Sequence, residues 1–152
     1  MFKKVRKNEI SKDECKKLLK KAHRGVLAIN GEDGYPYSFP MNYFYDGKRL
    51  IFHSAKFGQK IDLIKKNPKA SFCVIGNEKI SQDGWSYNTS SVVLFGKIEF
   101  IKKDGLKQLK EFAMKYYPNE DMVDREIEKA YKAVAMLSFK IEYMTGKRVN
   151  ER

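Results

Sequence analysis

Apolar residues recur with a helical period in four parts of the chain. The capping box Ser11-Lys12-Asp13-Glu14 and the apolar positions behind it predict a first amphipathic helix that ends at about Arg24. Three more helices are predicted: a short one that starts after Gly58 and stops at Asn67-Pro68, one at 106–116, and one at 122–131.

Shorter apolar runs, bounded by Gly, Asn and Asp, predict β-strands between these helices. The run 26–29 predicts a buried strand, and a strand at 35–45 returns from it through a hairpin loop at 30–34. The tight turn Asp46-Gly47 leads into a third strand, so these three strands are expected to form an antiparallel meander. Gly96 predicts a bulge or a sharp bend of the kind that closes barrels. The six predicted strands are 26–29, 35–45, 49–54, 70–75, 90–100 and 133–143.

These elements predict an α+β protein, an antiparallel β-barrel that is closed or nearly closed, with short helices outside it. The 152 residues, 42% of them hydrophobic, suffice for one core, and neither a repeat nor a linker divides the chain. We therefore expect a single domain at 1–152. The sequence shows no long apolar run and no signal peptide, and its two cysteines, Cys15 and Cys73, lie far apart. We expect a soluble, cytoplasmic protein with reduced thiols and no metal site.

The chain carries a formal charge of +12, with 31 Lys and Arg against 19 Asp and Glu. A clustered basic patch would favour nucleic acid, but the lysines recur along the whole chain, as they do on solvated faces. We therefore expect no nucleic-acid partner, and the lack of a long apolar run leads us to expect no membrane partner. A basic nucleic-acid-binding barrel, like the oligonucleotide/oligosaccharide-binding fold, stays open as an alternative, and salt-dependent binding of oligonucleotides would support it.

The clearest chemistry lies in the segment 53–62, His53-Ser54-Ala55-Lys56-Phe57-Gly58-Gln59-Lys60-Ile61-Asp62, where a strand ends and a short loop enters a helix. The free N–H groups of a helix N-terminus attract anions, Ser54 can donate a hydrogen bond, and Lys60 supplies a positive charge. The arrangement suits a phosphate monoester, although similar segments occur in proteins that bind nothing. Neither G-x-x-x-x-G-K-[ST] nor G-x-G-x-x-G is present, which argues against the better-known nucleotide-binding loops.

Three motifs in a fixed order identify a resemblance to a known family. They are Arg24-Gly25-Val26-Leu27-Ala28, the D-G-x-P-Y-x-x-P pattern at 33–40, and H-S-A-x-x-G-x-K-x-D at 53–62, with Asn67-Pro68 beyond it. Together they resemble the pyridoxamine 5′-phosphate oxidase-like split barrels, and most of all the nitroimidazole-resistance (Nim) branch. The resemblance covers the chain from His23 to about Lys147 and implies an antiparallel FMN-binding split barrel with short flanking helices.

The resemblance also implies which residues hold the flavin phosphate. In that family a Ser or Thr at the strand end and a basic pair in the next helix bind it, and these roles fall on Ser54 and Lys60. Gln59 stands where the oxidase has Arg, so one positive charge is missing. His53 occupies a position beside the flavin, although a barrel histidine that bonds a backbone carbonyl is the alternative.

Further positions follow from the same resemblance. The strand 38–43 would run along the isoalloxazine ring, with Asn42 closest to its polar edge, and Thr145-Gly146-Lys147 would lie near the cofactor unless it is a plain turn. No catalytic residue and no metal ligand is assigned. The cofactor-binding residues so implied are Ser38, Phe39, Pro40, Met41, Asn42, Tyr43, His53, Ser54, Gln59, Lys60 and Lys147.

The implied function is electron transfer by an FMN-dependent oxidoreductase, from a reduced nicotinamide or another donor to a small acceptor such as a nitro-compound or a quinone. The Arg-rich C-terminal substrate motif of true pyridoxamine phosphate oxidases is missing, which argues against vitamin B6 oxidation. A split barrel that carries flavin, deazaflavin or haem without fast catalysis stays open. The family implies a homodimer with the flavin near the interface, and Phe39, Tyr43 and Tyr45 are expected to be exposed aromatic residues that contribute to it.

Overall fold

The computed structural model describes residues 7–151, which form four α-helices and eight β-strands. The helices are α1 (Lys12–Lys21), α2 (Gln59–Lys66), α3 (Gly105–Tyr116) and α4 (Glu120–Ala130). The strands are β1 (Arg24–Asn30), β2 (Pro36–Asn42), β3 (Phe44–Tyr45), β4 (Arg49–Ala55), β5 (Lys69–Ile75), β6 (Lys79–Ile80), β7 (Tyr87–Phe100) and β8 (Val134–Glu151). None of the helices in this described range has both the length and the hydrophobicity needed to cross a membrane.

All the strands belong to one antiparallel sheet, in the order β2-β1-β5-β7-β8-β4-β3, with β6 paired to β7. The sheet curls around a core to which α1 and α2 contribute the apolar residues Cys15, Leu19, Ile61, Leu63 and Ile64. Helices α3 and α4 pack on the other face of β4 and β8, around Ile51 and Met136. The α+β arrangement of an antiparallel sheet with short flanking helices is confirmed.

The predicted meander is wrong, because the expected strand 35–45 divides at Tyr43 into β2 and β3, which lie at opposite edges of the sheet. Tyr43 is held by a side chain from α3: its N–H donates to the Tyr116 hydroxyl at 2.8 Å, and that hydroxyl lies 2.7 Å from the Tyr43 carbonyl oxygen. These hydrogen bonds take the place of β-ladder bonds at Tyr43. The chain therefore leaves β2 at one edge of the sheet and continues as β3 at the opposite edge.

β1 is not a buried strand, although its four central residues are apolar. Leu27 and Ile29 face the core, whereas Val26 is 43% exposed, because only one face of the strand covers the barrel interior. Across the sheet Val26 pairs with Cys73 of β5, which pairs with Val93 of β7. These residues belong to the outer face of the sheet.

The last strand is longer than predicted and includes the segment 145–148, which is therefore not a turn. Thr145 pairs with Val93 of β7. Gly146 lies against α1, because a Cβ atom at residue 146 would be 2.4 Å from the Sγ of Cys15 in that helix. The bulge predicted at Gly96 is confirmed by a register shift at this residue, where a Cβ would lie 2.0 Å from the Lys140 carbonyl oxygen.

The expected exposure of Tyr43 and Tyr45 is also wrong. Both side chains are buried in the core, and the Tyr43 hydroxyl donates to the Leu19 carbonyl at 2.8 Å. Phe39 is half-buried and packs against the same core. These aromatics therefore fill the barrel of their own chain.

Candidate functional site

An open groove of about 380 Å³ lies between β2 and β4, next to the start of α2. The residues that line it come from four elements that are distant in sequence: Arg24, Pro40, Met41, Asn42, His53 and Lys60. Two of these side chains are cationic and none is a carboxylate. The groove therefore favours an anionic ligand.

Arg24 and Asn42 form one wall of the groove. They are partners in the β1–β2 ladder, and the Arg24 Nε donates a hydrogen bond of 3.0 Å to the Asn42 Oδ1. The amide oxygen is thereby occupied, which leaves the Asn42 NH₂ group as the donor that can face a ligand. The bond also fixes the direction of a long, otherwise flexible Arg side chain.

Lys60 supplies the second positive charge from the first turn of α2. This helix begins after Gly58, whose φ of 120° is a conformation that only glycine adopts easily. The Lys60 Nζ lies 4.6 Å from the centroid of the Phe39 ring, which holds the ammonium by a cation–π contact. Burial lowers the pKa of Lys60. An anion in the groove would oppose that effect and favour the charged ammonium.

His53 lies on β4 and lines the groove. Its ring packs edge-on against Phe112 of α3, with 4.8 Å between the ring centroids, while part of the imidazole stays exposed. Burial and, to a smaller extent, the Lys60 ammonium lower the pKa of His53. The imidazole is therefore neutral at neutral pH, and it can offer one N–H donor and one nitrogen acceptor.

A second, apolar cavity of about 320 Å³ opens on the other side of His53. It lies between α3, α4 and the strands β4 and β8, and most of its lining is aliphatic, aromatic or Met. Its lining residues are His53, Leu109, Ala113, Tyr117, Met122, Val123, Glu126, Ile127, Ala130 and Val134. His53 thus borders both the charged groove and a site suited to a small apolar molecule.

The structure brings together five of the eleven predicted site residues, namely Pro40, Met41, Asn42, His53 and Lys60. Phe39 does not line the groove, but its ring contacts the Lys60 ammonium. The remaining five, Ser38, Tyr43, Ser54, Gln59 and Lys147, are not among its lining residues.

Three of the residues outside the groove have clear structural reasons for their position. The alternation of β4 turns Ser54 to the face opposite His53. The ring of Tyr43 is in the core. Lys147 pairs with Ser91 of β7, and β7, β5 and β1 separate its strand from β2.

Arg24 is the groove residue that sequence reasoning did not assign. It stands in the first family motif, and only the register that places it opposite Asn42 shows that it reaches the groove. The donor set of a guanidinium, an ammonium and an amide fits the phosphate and polar edge of a flavin nucleotide.

Comparisons with solved structures identify the fold. A candidate 5-nitroimidazole antibiotic resistance protein from Bacteroides thetaiotaomicron is similar, with a TM-score of 0.79 and 23% identity over 94% of this chain and 87% of the other. An FAD-binding protein from Mesorhizobium loti has a TM-score of 0.65 and 23% identity, over 93% of this chain and 96% of the other. An FAD and heme binding protein from Mycobacterium smegmatis has a TM-score of 0.75 and 21% identity, over 93% of this chain and 73% of the other.

These similarities confirm the predicted split barrel. Among proteins with curated descriptions, none matches the chain significantly in sequence. The family of pyridoxamine 5′-phosphate oxidase, however, matches residues 11–148. The chain therefore belongs to the pyridoxamine 5′-phosphate oxidase family.

Proposed function

We propose that this groove binds a flavin nucleotide through its 5′-phosphate, with FMN as the smallest such ligand, and that the protein is an FMN-dependent oxidoreductase. The observation that carries the proposal is the convergence of Arg24 and Lys60 on one groove that contains no carboxylate. Family membership and structural neighbours described as FAD-binding proteins support the choice of a flavin over other phosphorylated ligands.

Each groove residue has a defined task in this proposal. Arg24 and Lys60 neutralise the phosphate, and charge-assisted hydrogen bonds of this kind contribute about 1.5–3 kcal/mol each. Asn42, with its oxygen engaged by Arg24, presents its NH₂ group to a carbonyl of the ring system. Pro40 and Met41 give apolar surface beside it. A bound flavin supplies the capacity to accept and pass on a hydride or electrons.

The apolar cavity beyond His53 favours a small, apolar electron acceptor, such as a quinone or a nitroaromatic compound. The neutral imidazole can donate a hydrogen bond to an oxygen of such a molecule, and the mostly apolar cavity walls can pack against the rest of it. We assign His53 the task of orienting the acceptor, with no essential acid or base among the side chains. A reduced nicotinamide is the proposed donor.

The visible spectrum of the purified protein, recorded before and after addition of FMN and desalting, tests the cofactor. We expect flavin bands that survive desalting in the wild type and in Lys65→Ala, which removes an exposed charge from the same helix, and that weaken in Lys60→Ala. A haem band, or no retained chromophore after FMN is added, would overturn the proposal.

Turnover tests the catalytic part separately. The loaded protein should oxidise a reduced nicotinamide in the presence of menadione or a nitroimidazole, and Ala113→Trp, which fills the apolar cavity, should raise the KM for the acceptor and leave flavin content unchanged. A flavin-loaded protein that reduces neither acceptor with either nicotinamide would contradict an oxidoreductase function. The non-catalytic flavin-binding alternative would then apply.

The proposed assembly is a homodimer that uses the outer face of β1, β5 and β7. Val26 is 43% exposed, and Cys73 and Val93 are half-buried beside it, although no described helix covers this face. A second copy would bury this apolar row. Light scattering should show a dimer for the wild type and for Leu106→Glu on α3, and a monomer for Val26→Glu. A monomeric wild type would contradict the assembly.

A further inference from the structure

The Tyr116 hydroxyl bonds both strand ends that carry the Arg24–Asn42 wall of the groove. The β1–β2 ladder has its last pair at Arg24 and Asn42. Continued by one residue, the same register would pair His23 with Tyr43. Instead the Tyr43 N–H donates to the Tyr116 hydroxyl at 2.8 Å, and that hydroxyl donates to the His23 carbonyl. A side chain from α3 therefore bridges the two strands at the position next to the wall.

The hydroxyl can make both bonds because a neighbouring lysine serves the third polar group within its reach. A hydroxyl has a single hydrogen, and the Tyr43 carbonyl oxygen also lies near it, at 2.7 Å. The Lys115 Nζ donates to that oxygen at 3.0 Å and to the Ala22 carbonyl at 2.6 Å. The Tyr116 hydrogen is thereby available to His23. Burial raises the pKa of Tyr116, so the hydroxyl keeps this hydrogen at neutral pH.

The ring of Tyr116 is itself held by two other rings. It stacks on Phe112, which lies one helical turn earlier on α3, with 5.1 Å between the ring centroids, and the His23 ring stands edge-on to it at 5.5 Å. Phe112 is buried and packs in turn against His53. These contacts restrict the tyrosine ring, so its hydroxyl is a fixed point to which the two strand ends are attached.

Arg24 requires such support because its side chain is long and exposed. Its Nε donates to the Asn42 Oδ1 at 3.0 Å, so the direction of the guanidinium depends on the spacing of β1 and β2 at this pair. The Tyr116 hydroxyl sets that spacing, because it bonds the residue before Arg24 and the residue after Asn42. A cation that already points into the groove loses less side-chain entropy when an anion binds.

We infer that Tyr116 is a positioning residue of the flavin site, which directs the Arg24 guanidinium toward the 5′-phosphate by bridging the two strand ends beside it. Tyr116 is not among the residues that line the groove, so it acts through Arg24 and not by contact with the ligand. This inference rests on the proposed function, because the phosphate is the group that Arg24 is proposed to bind. It extends the flavin site to α3, a helix that contributes none of the groove's lining residues.

A double-mutant cycle of Tyr116→Phe and Arg24→Gln tests the inference through the dissociation constants of FMN and riboflavin, measured by flavin fluorescence. Tyr116→Phe should weaken FMN binding by about fivefold and riboflavin binding by less than about twofold, because riboflavin lacks the phosphate. In a chain that already carries Arg24→Gln, Tyr116→Phe should change FMN affinity by less than about twofold, because the residue through which it acts is gone. An equal loss with and without Arg24 would overturn the inference.

Three further variants separate positioning from a general loss of stability. Ile98→Val shortens a buried side chain of β7, and Tyr35→Phe removes a hydroxyl from a side chain that is 78% exposed. Neither should change the preference for FMN over riboflavin by more than about twofold. Lys115→Met removes the second donor from α3 to the strand ends and should lower that preference, as Tyr116→Phe does. A preference that Ile98→Val lowers as much as Tyr116→Phe would contradict the positioning role.

The NMR signal of the Arg24 Nε–H provides a readout that needs no flavin. In the flavin-free wild type this hydrogen is bonded to Asn42, so its signal should differ in chemical shift from that of a free arginine and exchange more slowly with water. Asn42→Ala should abolish both properties, and Tyr116→Phe should weaken both. A signal that Tyr116→Phe leaves unchanged would overturn the inference while the proposed function stands. A wild type that binds neither FMN nor riboflavin would overturn the proposed function, and the Arg24 signal would still decide whether Tyr116 directs that side chain.

Discussion

Arg24 at the start of β1 and Asn42 at the end of β2 face each other across the ladder, and the guanidinium Nε donates to the Asn42 Oδ1 at 3.0 Å. The bond turns a long cation and a short amide into one fixed wall of the groove, which Lys60 also lines. Asn42 lies on β2, the edge strand of the sheet, and Arg24 lies on β1 beside it, where the groove is open to a ligand.

Arg24→Gln should weaken FMN binding by about tenfold, which corresponds to about 1.4 kcal/mol, because one charge-assisted bond to the phosphate is lost. Riboflavin, which lacks the phosphate, should bind both proteins equally. Arg125→Gln on the exposed side of α4 removes the same charge far from the groove and serves as the control. A loss of equal size for riboflavin would show that Arg24 shapes the groove and does not bind the phosphate.

As the pH is raised, FMN affinity should begin to fall at a lower pH than the one at which an ordinary lysine loses its proton. Burial lowers the pKa of Lys60, so its ammonium is present below that lowered pKa and is lost as the pH rises through it. The FMN phosphate is already a dianion above about pH 7, because its second pKa is about 6. Fluorescence titrations between pH 7 and 10.5 measure the decline, and Lys60→Arg should remove it. A flat profile for the wild type would contradict the contact between Lys60 and the phosphate.

Tyr116→Phe should lower the free energy of unfolding by about 1–3 kcal/mol, because it leaves the N–H of Tyr43 without its partner at the corner between β2 and β3. Tyr117→Phe removes a hydroxyl from a neighbouring, 57% exposed side chain and should change stability by less than about 0.5 kcal/mol. Urea unfolding of the two variants makes the comparison. Equal effects would mean that the Tyr116 hydroxyl does not hold the corner.

Lys115 should make the free energy of unfolding increase with pH in the alkaline range between its folded and unfolded pKa values. Its Nζ donates to the Ala22 and Tyr43 carbonyls at 2.6 and 3.0 Å, and burial lowers its pKa from 10.5 to about 8. Between these two values the unfolded chain binds the proton and the folded chain does not, so deprotonation favours the folded state. The unfolding free energy of the wild type relative to Lys115→Met should therefore increase from about pH 8 to 10.

Lys110 on the same helix is the control for that series. The hydrogen bonds that Lys110 donates to the carboxylates of Asp124 and Glu120 raise its pKa to about 12, so the wild type should gain no stability over Lys110→Met between pH 8 and 10. A constant or falling difference for Lys115→Met would mean that the two carbonyls and the Tyr43 ring, 4.1 Å away, keep Lys115 charged.

The sequence predicts the local elements of this protein well, because local chemistry sets them. The capping box starts α1, although the helix ends at Lys21, earlier than expected, because Ala22 is already extended. Asn67 ends α2 as predicted, and Gly96 marks the bulge in β7. Each of these features depends on residues close together in the chain.

Features that depend on distant residues could not be predicted in the same way. The break at Tyr43 depends on a hydroxyl of Tyr116, 73 residues further along the chain, and it moves β3 to the opposite edge of the sheet. The same holds for the site: the 53–62 motif contains Lys60 and His53, but Arg24 joins them only through its register with Asn42. Strand order and register are set by the whole core, and no local pattern encodes them.

The most direct test of the central claim is the ratio of the dissociation constants for riboflavin and FMN, measured on the wild type and on Arg24→Gln/Lys60→Ala. If the groove holds the flavin phosphate, the wild type should prefer FMN by at least about tenfold, because two charge-assisted contacts depend on that phosphate. The double variant should bind the two ligands equally. Equal affinity of the wild type for riboflavin and FMN, or a preference that survives in the double variant, would contradict the phosphate site.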